Sequence, residues 1–206
     1  MNRINILIFI SLLIFSGCAN HPTIMPGKLE PGKSSYCYTF SAENIVPVYT
    51  WSYGINSYLD GAVHIGLPIW GTGASLSYLT HLDSTENAIR FRKVNLGYTW
   101  QHNAGFDLTL LRERYIFKHS RYIYTGMRAT YIPKGISGSN AFRLGILLGS
   151  WWNERIGVEL GYTYDFALGT NWVDPVQKWP TEHHPMTGLS FRLSFGKFIT
   201  PGTNGE

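Results

Sequence analysis

Large apolar side chains recur at every second position along most of this chain, in runs separated by Gly, Asn, Asp, Ser and Pro. Phe142, Leu144, Ile146 and Leu148 alternate with Arg143, Gly145 and Gly149. Ile156, Val158, Leu160, Tyr162, Tyr164 and Phe166 alternate with Arg155, Gly157, Glu159, Gly161, Thr163 and Asp165. A period of two puts neighbouring side chains on opposite faces of an extended strand. No helical periodicity of useful length follows residue 33. Ten such stretches can be read, over 36–40, 46–55, 59–67, 74–78, 93–100, 106–110, 123–131, 142–149, 156–166 and 188–196. Short strands joined by turn residues predict an all-β chain, an antiparallel up-and-down barrel of eight to ten strands with ten preferred. Eight results if the Tyr36 stretch belongs to the segment before the barrel and another pair merges. Ten is even, which brings both ends of the barrel to one side.

Alternation leaves open which face meets water, since soluble barrels alternate too. The residues between the apolar ones set the expectation: they are Gly, Ser, Thr and Ala with isolated charges, not the many Lys and Glu of a solvated face. Small residues fit the crowded inside of a narrow barrel, so the bulky apolar side chains are expected to face lipid and the barrel to be transmembrane. The charges on the small face, Lys93, Asp107, Arg128, Arg143, Arg155, Glu159, Asp165 and Arg192, are of both signs and are expected to form an interior network. Unpaired, each would cost on the order of several kcal/mol in desolvation. Tyr78, Trp100, Tyr131, Trp151, Trp152 and Phe198 lie near the ends of stretches, where membrane barrels carry aromatic girdles. The last stretch, Leu189, Phe191, Leu193 and Phe195, resembles the closing strand of outer-membrane barrels, with the departure that a tail, 199–206, follows Phe198.

The amino terminus bears on the compartment. Arg3 precedes an apolar run from Ile4 to Phe15, which ends in Ser16-Gly17-Cys18. The run has the build of a secretory signal and falls short of the ~20 apolar residues a spanning helix needs. Ile14-Phe15-Ser16-Gly17-Cys18 resembles the bacterial lipobox, in which two small residues precede a cysteine that is acylated on sulfur and becomes the new amino terminus. The resemblance implies cleavage after residue 17, lipidation at Cys18 with diacylglycerol and palmitate, and anchoring to the outer membrane on its periplasmic side. Residues 18–33, with Pro26-Gly27 and Pro31-Gly32, are expected to be a flexible tether, 34–198 the barrel and 199–206 a tail.

Composition fits this outline. Only 15% of residues are charged, while Gly numbers 22 and Tyr, Phe and Trp number 13, 11 and 7, a balance suited to thin strands and interfacial rings. The net charge of +4 is too small and too scattered for nucleic-acid binding. Cys37 has no partner within the chain once Cys18 is acylated, and is expected to be a small, half-buried strand residue.

Catalytic chemistry is harder to find. His183-His184 lies beside Glu182 and Asp174, but adjacent histidines point apart and nothing at metal-ligand spacing completes a site, so no metal and no cofactor are expected. The lipid A deacylase family is similar to this chain in size and strand pattern and uses a His-x-Ser pair with an acidic residue. No histidine here is followed two places later by serine, and His119-Ser120 is adjacent, so no catalytic residue carries over. The expectation is an outer-membrane barrel lipoprotein with a structural, surface-interaction or envelope role. The alternatives are a soluble lipidated periplasmic barrel holding a small apolar ligand, and a lipid-modifying enzyme or narrow pore. The lipocalin family's early Gly-x-Trp and carboxy-terminal helix are both missing. Expected partners are outer-membrane lipids, the lipoprotein-export and barrel-insertion machinery, and an external ligand of unknown chemistry at 167–185.

Overall fold

The structure, a computed structural model, describes residues 24–41, 47–66, 71–101, 103–133, 140–168 and 189–197. Ten strands account for most of them: β1 (Ser34–Ser41), β2 (Val48–Gly54), β3 (Leu59–Gly66), β4 (Thr72–Ser84), β5 (Ala88–Gln101), β6 (Asn103–Ile116), β7 (Arg121–Ile132), β8 (Asn140–Trp152), β9 (Ile156–Leu168) and β10 (Leu189–Lys197). Each strand pairs antiparallel with its neighbours in sequence, and β1 pairs with β10, so the sheet closes on itself. This is the expected all-β, up-and-down barrel, with ten strands rather than eight. Closure leaves no row of unpaired backbone groups at a sheet edge.

The two ends of the barrel differ. At one end the strands are joined through 55–58, 85–87, 117–120 and 153–155, and the same end carries the start of β1 and the end of β10. We call it the turn end. At the other, the loop end, most connections are longer, through 42–47, 67–71, 133–139 and 169–188, with residue 102 alone joining β5 to β6. Local chemistry fixes the tight turns. Asn153 and Glu154 both have positive φ, and the Arg155 amide donates to the Trp152 carbonyl at 3.0 Å, which closes a tight turn over 152–155 within the three-residue β8–β9 connection. At Asn56 the side-chain oxygen accepts from the Tyr58 and Leu59 amides.

Side-chain direction follows the alternation. Leu96, Met127, Ile146 and Leu160 point outward and are more than half exposed, as part of a belt of aliphatic and aromatic residues around the barrel. Thr50, Asn95, Thr109, Arg143 and Ser194 point inward and are buried. Tyr78, Trp100, Tyr131 and Trp152 lie on the outer face, whereas Trp151 is buried inside, because it stands one residue out of phase with Trp152. Phe198 lies outside the described residues.

Near the turn end the polarity of the two faces inverts. Ile89, Phe91, Leu111 and Tyr115 fill the inside, while Arg90, Arg92, Arg112 and Arg114 face out. This inversion explains why β5 and β6 run further than their apolar stretches over 93–100 and 106–110: the period of two continues, carried by arginines on the outer face, whereas in β4 an irregularity between Leu79 and His81 breaks the period beyond 74–78.

Two expectations are corrected here. Arg155 is an exposed residue of the β8–β9 turn, not an interior charge, because the strand phase begins only at Ile156. The stretch from Ile24 to Lys33 is no flexible tether: Ile24, Met25, Lys28 and Leu29 are buried within the barrel. The segment then reaches the rim and reverses into β1 at Glu30-Pro31-Gly32-Lys33, where Gly32 has φ 79° and the Lys33 amide donates to the Glu30 carbonyl at 3.0 Å, a turn that needs glycine at its third position.

Candidate functional site

The lumen is where the chain concentrates its polar chemistry, and residues 24–30 occupy it. An irregular segment inside a barrel has no ladder partner, so its backbone groups must be satisfied by side chains from the wall. Lys93 of β5 does this for two carbonyls, its Nζ donating to those of Met25 at 2.8 Å and Gly27 at 2.7 Å. Glu113 of the neighbouring β6 does it for an amide, one carboxylate oxygen accepting from Gly27 while Oε1 lies 3.0 Å from Lys93 Nζ. Lys28 in turn pairs with Asp60 of β3 and donates to the Leu29 carbonyl. The plug is thus clamped by two buried ion pairs that share its backbone.

Further polar groups line the wall. Glu159 of β9 accepts from Tyr124 Oη at 3.0 Å and lies 3.4 Å from Arg192 Nη1 on β10. Arg128 Nε donates to Thr109 Oγ1 at 2.9 Å, and Thr109 lies 3.4 Å from Asp107 Oδ1, so a hydroxyl bridges the guanidinium and the carboxylate. Among the described residues, the buried cations Lys28, Lys93, Arg128, Arg143 and Arg192 face the buried carboxylates Asp60, Asp107, Glu113 and Glu159, which nearly balances the interior. Buried charges are tolerated when paired and hydrogen-bonded, as at Lys28–Asp60, Lys93–Glu113 and Arg192–Glu159.

His64 holds a separate node. Its Nδ1 lies 3.0 Å from Thr50 Oγ1 and its Nε2 3.1 Å from Ser75 Oγ, so three neighbouring strands are tied through one ring. A serine beside an imidazole invites comparison with a nucleophile and its base, but the third group is a threonine hydroxyl in place of a carboxylate, and both Ser75 and His64 are closed off from solvent. The arrangement satisfies buried polar groups. His119, in the 3-10 turn Phe117–His119, is exposed at the turn end.

Towards the turn end an apolar layer closes the lumen. Ile24 and Met25 of the plug join Leu79, Phe91, Tyr115, Tyr122, Trp151 and Cys37 in one cluster. Cys37 is fully buried, a free thiol 3.8 Å from Thr39 Oγ1. Tyr122 stacks on Phe91 with ring centroids 6.2 Å apart and tilts against Tyr115 at 4.5 Å. Gly149 makes room for Tyr124, whose ring occupies the space a Cβ there would need.

Of the charges expected inside, Lys93, Asp107, Arg128, Arg143, Glu159 and Arg192 are buried in the lumen. The backbone of Asp165 pairs with that of Arg143, while the Asp165 side chain lies outside the described residues. Glu113, Asp60, Lys28 and Tyr124 were not anticipated as members of the network. Asp107, Thr109, Leu111, Glu113 and Tyr115 keep one inward phase, so the signal for Glu113 was present, hidden by Arg112 and Arg114 on the outer face. Among the described residues no group of His, Cys, Asp and Glu is arranged to hold a metal. Cys18 and the residues of 169–188, with His183 and His184, lie outside the described residues.

Neither a protein-family model, nor a curated protein, nor a solved structure matches the chain.

Proposed function

We propose that this chain is an outer-membrane β-barrel lipoprotein, anchored through an acylated Cys18, whose barrel is filled and serves a structural, surface-interaction or envelope role without a catalytic site. The observation that supports this is the reversed polarity of the barrel: a broad apolar belt outside and paired ions with hydroxyls inside. In water such a belt would be costly, since soluble monomers rarely expose apolar patches above a few hundred Å². In a bilayer it is the favourable face, and strands of 12 to 14 residues, as in β4–β9, exceed the ~9–11 needed to cross. The short connections and both ends of the barrel share one side, which suits the periplasm, and the longest connection, 169–188, leaves from the other.

The plug supports a filled barrel over a pore. Its backbone carbonyls and amide take up Lys93 and Glu113, groups that would otherwise line a channel. It also weighs against a small apolar ligand, because the apolar part of the lumen is already filled by Ile24, Met25 and the aromatic layer.

Fractionation tests the proposal. An acyl label lost in Cys18→Ala, together with an outer-membrane band whose migration changes on heating, is the expected result. Recovery of the unacylated protein as a soluble species with heat-independent migration would overturn the membrane assignment. In planar bilayers the protein is expected to be silent, and steady single-channel steps would overturn the filled barrel.

A further inference from the structure

Four arginines stand together on the outer face near the turn end. In the β5–β6 hairpin Arg90 lies directly opposite Arg114, and Arg92 directly opposite Arg112. Like charges facing each other across a ladder are destabilising, so a block of this kind is costly unless something neutralises it. Among the described residues little does. Asp83 approaches Arg90 at 3.8 Å in a solvent-exposed contact, and no ion pair ties Arg92, Arg112 or Arg114 to a described acidic residue. An irregularity in β4 between Leu79 and His81 adds a further basic side chain, placing His81 opposite Arg92.

The block borders an apolar groove. Arg92 and Arg112, with Thr80 and Thr125, line one part of a hollow of about 840 Å³ in the outer face, whose other walls include Val94, Leu110, Met127, Ile146, Leu148 and Leu160. Along β5 and β6 the outer face therefore passes from arginine to aliphatic within two residues, from Arg92 to Val94 and from Arg112 to Leu110. Both strands have 14 residues, more than the hydrocarbon core requires, which leaves their turn-end portions at headgroup level.

We propose that this surface binds an anionic glycerophospholipid of the periplasmic leaflet, its phosphate held among Arg90, Arg92, Arg112 and Arg114 and an acyl chain laid in the groove. The inference rests on the membrane reading above and names the lipid class that reading would favour. Guanidinium forks match phosphate oxygens in pairs, and the apposed arginines supply two such forks on each side of the hairpin. Charge complementarity selects an anionic lipid over a zwitterionic one, and the adjoining aliphatic walls select a lipid over free phosphate.

Native mass spectrometry of the full chain in dodecyl maltoside tests this, with phosphatidylglycerol, cardiolipin, phosphatidylcholine, lipopolysaccharide or inorganic phosphate added in turn. Phosphatidylglycerol and cardiolipin are expected to remain bound where phosphatidylcholine does not. Arg92→Gln/Arg112→Gln is expected to lower their retention about thirtyfold, while Lys118→Gln/Arg155→Gln, which removes two exposed turn-end charges away from the groove, leaves it unchanged. Equal retention of phosphatidylcholine, equal loss in both variants, preferential capture of lipopolysaccharide, or displacement by millimolar phosphate would each overturn the site. Heat-dependent migration, measured on the same samples, separates the two proposals. A barrel that keeps it but lacks lipid selectivity removes this site alone, whereas its loss in the wild type removes the membrane reading and this site with it.

Discussion

Lys93 of β5 and Glu113 of β6 are diagonal neighbours on the inner face of the barrel, their side chains 3.0 Å apart, and between them they hold the backbone of Met25 and Gly27. One ion pair thus joins the barrel wall to a segment 86 residues away from Glu113 in sequence. Removing one partner of such a pair leaves an uncompensated buried charge, at a cost of about 3–5 kcal/mol. Glu113→Leu should show this as a lower urea midpoint for loss of the folded band in vesicles. Adding Lys93→Met should recover part of the loss, and a double variant as unstable as the sum of the singles would refute the coupling.

The plug also shields Cys37, which is fully buried in the cluster that includes Ile24 and Met25. Thiol reagents need access to the sulfur. A maleimide should leave the native barrel unlabelled at Cys37 and label it fully after heating. Lys28→Ala/Lys93→Ala, which frees the plug's clamps, should raise the native rate at least tenfold, and an unchanged rate would show that the plug is held otherwise.

Gly149 offers a steric test. A Cβ there would overlap the Tyr124 ring, whose hydroxyl is committed to Glu159, so Gly149→Ala should cost about 1–3 kcal/mol as overpacking. At Gly105 the nearest atom to an added Cβ is 3.8 Å away, so Gly105→Ala should be close to neutral in the same unfolding assay.

Depth in the bilayer separates two isoleucines of the outer face. Ile146 lies in the middle of β8 and Ile156 begins β9 at the turn end. Under the membrane proposal Ile146→Arg should destabilise the vesicle-inserted barrel by about 2–4 kcal/mol, and Ile156→Arg by about 0–1 kcal/mol. Equal effects at the two positions would count against a bilayer around β8.

Some of this architecture was legible in the residues and some was not. The alternation of β8, β9 and β10 gave their phase and faces directly, since a strand's period is a local property of backbone geometry. Arg155 was misassigned because it continues the same alternation one step beyond the strand, into a turn whose shape depends on Asn153 and Glu154. The extension of β5 and β6 is not legible in the apolar pattern, because the outer face there changes from apolar to arginine while the strand continues.

By itself the sequence determined that this chain is a succession of strands with small and charged residues on one face and bulky apolar ones on the other, because side-chain direction in a strand is fixed by its own neighbours. Only the tertiary structure decided what fills the lumen. Residues 24–30 look like a linker from composition, and become a plug because closure brings Asp60, Lys93 and Glu113 around one axis, where each must find an opposite charge or a backbone group to offset its desolvation.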